Sequence, residues 1–142
     1  VARGLNKPVL SLETPTEQMA ALRSPTRAAM LAAVRSGLDD LDSGRTGPLL
    51  ARMAKDWTDG DLADLERYGR WCHCMSDAAE RAQMHRVVDE RNPPIADRID
   101  AVHAAGQRVF AAVGSLHMIG PNGVPALLSR RGYAVERVPL DP

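Results

Sequence analysis

Two residues in this chain are of the types that do chemistry and stand at places suited to it. Glu13 closes the short apolar run Pro8-Val9-Leu10-Ser11-Leu12 just before Thr14-Pro15, and His117 closes the loop Gly114-Ser115-Leu116-His117. A carboxylate and an imidazole brought together can share a proton or hold a divalent cation. The residues alone leave this open. A glutamate after an extended run often serves as a helix cap or a surface charge, and Gly114, Gly120 and Gly123 suit a structural turn as well as a catalytic loop. A third group, Cys72-His73-Cys74, offers sulfur and nitrogen donors, but no second cluster at zinc-site spacing accompanies it. Cysteines this close are expected not to bond to each other, because a disulfide needs its alpha carbons suitably spaced and oriented. His85, among Gln83, Arg86 and Asp89, reads as solvated, and His103 falls in the last turn of a helix, where a cation suits the dipole. Met118 beside His117 invites a heme reading, yet adjacent residues cannot straddle one iron.

The elements that must position these groups are marked by prolines, glycines and capping residues. Residues 8–13 read as a strand. Thr14-Pro15-Thr16-Glu17 is a capping box with proline in the first turn, so a short helix follows, to about Arg23. Met30, Leu31, Val34 and Leu38 form the apolar stripe of the next helix. Leu50, Met53 and Trp57 recur at helical spacing over residues 46–57, and Thr58 and Asp61 open another helix. Ser76 or Asp77 starts one in which Met84, Val87 and Val88 face inward, until Asn92-Pro93-Pro94 interrupts it. Ile95, Ile99 and Val102 belong to a helix that stops at Gly106. Residues 108–113 are nearly all apolar and bounded by glycines, the pattern of a strand buried on both faces. Residues 124–130 read as a short helix and 134–138 as a last strand, so 109–138 fits a parallel strand, helix, strand crossover. The expected fold is therefore α/β, helix-rich, with a small and mainly parallel sheet. Strand ends on one edge of such a sheet gather ligands, which would bring Glu13 and His117 together.

The bulk numbers exclude several classes. The chain has 142 residues, 44% hydrophobic and 25% charged, with eighteen basic residues balancing eighteen acidic ones. A balanced charge argues against a nucleic-acid surface. No apolar run approaches the ~20 residues that a membrane span needs. Three strands for about six helices is a lopsided ratio. It leaves a sheet edge free to pair with another chain, so a homo-oligomer is expected.

Several of these residues occur together in a known family. Residues 110–123, Phe-Ala-Ala-Val-Gly-Ser-Leu-His-Met-Ile-Gly-Pro-Asn-Gly, resemble the closing signature of the TraB/GumN family: a buried strand, then Gly-x-x-His, then a Gly-x-x-Gly turn. Leu127-Leu128 and Arg131-Gly132-Tyr133-Ala134-Val135 are similar to its final helix and strand. Glu90-Arg91-Asn92 is similar to its Arg-Asn element, and Lys7-Pro8-Val9-Leu10-Ser11-Leu12-Glu13-Thr14 to its central Leu-Glu-Thr segment. Trp71-Cys72-His73-Cys74 resembles a segment of the GumN-like branch. The four ordered elements run from Lys7 to Val138.

The resemblance implies a fold related to the TIKI metalloproteases and, more distantly, the erythromycin esterases, with residues 1–142 forming the C-terminal half of the family's domain. It implies a metal-dependent hydrolase acting on a peptide or small ester. Glu13 and His117 would be the ligands of a divalent metal ion, Glu13 a ligand or general base, and Arg91 a holder of the carbonyl or oxyanion. Asn92, Gly114, Gly120, Asn122 and Gly123 would shape the supporting turns. The family's other Gly-x-x-His would come from an N-terminal half, so these residues are expected to be inactive alone and to bind the ion weakly. The alternative implied is an envelope protein of the same fold that binds a peptide or heme without cutting. The resemblance also implies a place in the bacterial periplasm or envelope.

Overall fold

Local capping chemistry sets most of the element boundaries. In the computed structural model, which describes residues 2–139, the first α-helix, α1 (Pro15–Leu22), starts where the Thr14 hydroxyl accepts from the Glu17 N–H at 3.2 Å and the Glu17 carboxylate accepts from the Thr14 N–H at 2.6 Å. This reciprocal bond satisfies two donors that a helix start leaves free. Thr26 caps α2 (Arg27–Asp42) and Asp61 caps α4 (Leu62–Glu66), each by a single side-chain oxygen that accepts from the backbone N–H three residues on. Between them, α3 (Thr46–Asp59) ends on Gly60 at φ 66, the left-handed cap that glycine adopts without steric cost. After the single turn α5 (Tyr68–Trp71), Asp77 caps α6 (Ala78–Val87). A turn of 3-10 helix at Asp89–Arg91 leads into α7 (Asn92–Ala104), with Pro93 and Pro94 in its first turn. The prolines thus open α7, and the preceding helix has already stopped at Val87. A 3-10 turn at Ser115–Met118 and α8 (Val124–Arg130) complete the order.

The core lies where α7 crosses α8. Ile95, Ala96 and Ile99 of α7 pack on Val124, and Leu12, Val113, Leu127 and Leu128 close around them. Ile95 is 1% exposed, so truncation to alanine there should cost about 2–5 kcal/mol. Arg131 of the turn after α8 pairs with Asp97 and Asp100, and Tyr133 donates to Asp100, fastening the chain beyond α8 to the far side of α7. The helix α7 is therefore the post on which residues near both ends of the chain are hung.

The expected sheet is absent. Among the described residues there is no strand, and the fold is helical. Residues 8–13, 108–113 and 134–138 have no regular structure apart from a bend at Leu12 and Glu13, and among the described residues their backbones bond to no other backbone. The α/β expectation therefore fails, and with it the parallel crossover. The physical reason is that composition gives a segment the capacity to be a strand, while a strand exists only when a second segment satisfies its backbone groups. Far from being covered on both faces, residues 108–113 present Phe110 to solvent at 95% exposure. The stripe of Met30, Leu31, Val34 and Leu38 on α2 is likewise exposed. Among the described residues no helix is long and apolar enough to cross a membrane.

Candidate functional site

Two segments without helix or strand, residues 7–13 and 107–114, line one cleft of about 1110 Å³, with Arg91 at the start of α7 and Ile95 and Ile99 within it. Glu13 closes the first segment and His117 follows the second, and both face this space. No strand edge brings them there; α7 does. The Arg91 guanidinium grips Glu13 with both arms, Nε to Oε1 at 2.7 Å and Nη2 to Oε2 at 2.6 Å, while Nη1 donates to the Val87 carbonyl at 2.8 Å. The very next residue, the first of α7, holds the histidine: Asn92 Oδ1 lies 2.6 Å from His117 Nδ1. Asn92 Nδ2 donates to the Asn122 carbonyl at 2.8 Å. That bond orients the amide, so Oδ1 is the atom facing the ring, and Oδ1 can only accept. His117 must then carry its proton on Nδ1. Its Nε2 has no hydrogen bond among the described residues, and in the neutral ring that atom holds the lone pair.

The charges follow from this geometry. The Arg91 hydrogen bonds hold the Glu13 carboxyl below its usual range against the opposing effect of burial, with Arg91 and His117 adding attraction. Burial pushes the His117 imidazole below 6.5, and the Arg91 charge pushes the same way, opposed by Glu13 and Asp89. At neutral pH the site therefore presents an ionised, fully paired carboxylate and a neutral imidazole of fixed tautomer.

The turn that carries His117 depends on two glycines. Gly120 sits at φ 72, and a Cβ on Gly123 would fall 2.5 Å from the Ile119 carbonyl oxygen. Gly114, at φ −61, meets neither demand. Asn122 contributes its backbone carbonyl to Asn92. One contributor was missed in the sequence. Arg98 donates to the Leu12 carbonyl and to both oxygens of Glu17, at 2.8 and 3.0 Å, and so fixes the segment that ends in Glu13. The available signal was its spacing of seven residues from Arg91, two turns along one helical face.

The donor set does not by itself suit a divalent ion. A catalytic zinc ion takes three protein ligands, and the described residues contain no group of three His, Cys, Asp or Glu placed to share one. Of the two expected ligands, Glu13 has both oxygens engaged by Arg91.

The remaining candidates lie elsewhere. His85 is exposed and 3.1 Å from Glu90, and His103 stacks edge-on against Tyr133. Cys72 and Cys74, expected to stay apart, are joined by a disulfide. His73 makes this bond reachable: at φ 56 it turns the backbone so that the two alpha carbons stand 5.1 Å apart, inside the span that a disulfide bridges. Closing so short a loop removes little chain entropy, about 1.5 kcal/mol.

Comparison with curated proteins and with solved structures gave no match. The match is to a family as a whole: residues 1–137 fit the model of the TraB/PrgY/gumN family, and the chain belongs to that family.

Proposed function

We propose that the cleft is a site for hydrolysis of peptide or ester carbonyls, in which His117 is the general base. The observation that carries this reading is the buried imidazole whose tautomer Asn92 fixes. A neutral histidine with its free lone pair towards a cleft can take a proton from water as that water adds to a carbonyl carbon, and can return the proton to the leaving group. Glu13 is a poor base here, because its two oxygens already accept from Arg91. Its part is electrostatic: its negative charge favours the imidazolium that forms as His117 takes the proton. Arg91 retains unused N–H donors on Nη1 and Nη2, and these suit a carbonyl oxygen gaining charge. The proposed setting is the bacterial envelope, an oxidising compartment in which a bond such as Cys72–Cys74 persists.

The test is turnover of peptide and ester substrates by the full chain and its variants. His117→Ala should lower kcat by about 10²–10⁴-fold, and Asn92→Ala should lower it in the same direction by releasing the tautomer. The helical circular dichroism of His117→Ala should match that of the parent. Because the folded pKa of His117 is depressed, the base stays neutral below pH 6.5, and activity should fall only on the acid side of that value. Unchanged turnover in His117→Ala would remove the histidine from the reaction.

A second reading has its own support. The backbone of residues 8–11 and 108–113 makes no hydrogen bond among the described residues, leaving a surface to which an extended peptide can add by main-chain hydrogen bonds. Peptide binding by the full chain without cleavage, unaffected by His117→Ala, would favour capture over hydrolysis.

A further inference from the structure

We propose that Cys72 and Cys74 form a thiol–disulfide exchange site, separate from the cleft, whose substrate is a small thiol bearing carboxylates. Four observations meet at this place. The bond encloses a single residue, so it does little to constrain the unfolded chain. That residue, His73, is exposed and held at φ 56, in the left-handed region that non-glycine residues adopt at a cost. Opening the bond frees His73 to leave it, which shifts the equilibrium towards the dithiol.

The two sulfurs are not equivalent. Cys72 is 4% exposed, whereas Cys74 is only half-buried. The Cys74 N–H points at Cys72 Sγ, 3.1 Å away. An incoming thiolate therefore meets Cys74, and the sulfur displaced is Cys72, where that N–H stands ready for the negative charge.

A cavity of about 370 Å³ opens on the Cys72 and His73 side of the bond, with Trp71, Arg45, Arg52 and Asp40 also in its lining. Asp40 pins Arg45 at 2.8 Å, and Asp64 pins Arg52 at 2.7 Å with its guanidinium 4.2 Å above the Trp71 ring. Both guanidiniums stay about half exposed. Nη1 of each guanidinium has no hydrogen-bond partner among the described residues, which suits a thiol that carries carboxylates and reaches past Cys72 to the bonded Cys74 sulfur, and the volume suits one of tripeptide size.

The exchange runs in two displacements. The substrate thiolate attacks Cys74 Sγ, the Cys72–Cys74 bond breaks with its electron pair on Cys72, and a mixed disulfide forms at Cys74. A second substrate thiolate attacks the substrate sulfur of that mixed disulfide and releases Cys74 as thiolate. Two substrate thiols are oxidised to one disulfide, the protein disulfide is reduced to two thiols, and the protons that the substrate thiols lose end on Cys72 and Cys74. The reverse reaction, with an oxidised small disulfide, restores the protein bond.

The full chain is equilibrated in glutathione buffers of graded reduced-to-oxidised ratio, quenched in acid, alkylated and weighed by mass spectrometry, with Cys72→Ser and Cys74→Ser in parallel. The wild type should pass from disulfide to dithiol within the glutathione range. Cys72→Ser should collect glutathione on Cys74 at least about tenfold faster than Cys74→Ser collects it on the buried Cys72. Arg45→Ala should slow capture of glutathione several-fold and leave the rate with 2-mercaptoethanol, which has no carboxylate, unchanged. A bond still closed at the most reducing ratio, or thiols still open at the most oxidising, overturns the proposal. Equal or reversed trapping overturns the choice of Cys74, and equal slowing with both thiols, or none, overturns recognition by carboxylate. The wild-type titration needs no substitution, so it decides even where a variant fails to fold.

Discussion

Asp56 carries a carboxyl group into the interior with nothing to receive it. It is 6% exposed, and its Oδ2 has no hydrogen-bond partner among the described residues. Nearby Asp64 takes Arg52 with both oxygens, at 2.7 and 2.8 Å, and Arg67 at 3.2 Å. Burial pushes the Asp56 carboxyl up, and the Asp64 charge pushes it further, while Arg52 opposes them. An acid whose folded pKa is raised contributes stability below its unfolded value, here 3.8, and loses that contribution as pH rises. Asp56→Asn keeps the shape and cannot ionise. Its melting temperature at pH 7 should exceed that of the parent by a few degrees, with the gap closing as the pH is lowered towards 4. An unchanged or lower Tm at pH 7 would mean that the ionised carboxylate is satisfied. The contrast with Asn92 is instructive: that side chain is equally deep, but both ends of its amide are bonded, to His117 and to Asn122. Asn92→Ala would leave two buried groups unpaired, at a cost of about 2–4 kcal/mol.

At the scale of elements, α1 is held by one carboxylate in two roles. Glu17 closes the capping box with Thr14 and also receives Arg98 of α7. Arg98 first, and Thr14 second, bring its pKa down to about 2. A depressed carboxylate contributes stability that is fully present above its unfolded value of 4.5 and is lost as pH falls through the folded one. Amide exchange in α1 should therefore quicken between about pH 4.5 and 2 relative to α7, and Glu17→Gln should show the fast exchange already at pH 6. Matching pH profiles for the parent and Glu17→Gln would detach the helix from this ion pair. The cap itself was legible in the sequence, because Thr14, Pro15 and Glu17 act within one turn. So was the stop at Gly106, whereas Pro93 and Pro94 were read as interrupting the helix before them and in fact open α7. Residues 108–113 have the composition of a buried strand, but whether they pair is decided by segments far away in the chain, which periodicity does not report. The same limit applies to the site. The types and surroundings of Glu13 and His117 marked them out, whereas the links that join them, Arg91 to Glu13 across 78 positions and Asn92 to His117 across 25, exist only in the folded chain. The cysteine pair failed for a different reason: the left-handed turn at His73 is not one that a histidine announces.

For the whole molecule, area decides what to expect. A folded monomer of 15.4 kDa exposes roughly 7,200 Å² by the usual scaling, whereas this chain exposes 10453 Å². Exposed large apolar side chains are spread along the chain, and two groups of them are candidates for a contact. One is α2, where Met30, Leu31, Val34, Leu38 and Leu41 are exposed and no residue of the helix is buried. The other is the extended backbone around Val9, Leu10 and Phe110. An apolar stripe left in water favours a second copy of itself, because pairing two such stripes removes both from solvent without a matching loss of polar contacts. The charge does not oppose this, with eighteen basic and eighteen acidic residues in balance. Light scattering at micromolar concentration should therefore give a dimer or a larger species. The double variant Val34→Glu with Leu38→Glu should lower the mass without lowering helix content, because both positions lie on the exposed side of a helix capped by Thr26. If the double variant keeps the oligomer, the contact lies at the extended segments, and Phe110→Ser should release it. A monomer in the parent protein at every concentration would mean that neither surface is strong enough to hold two chains together.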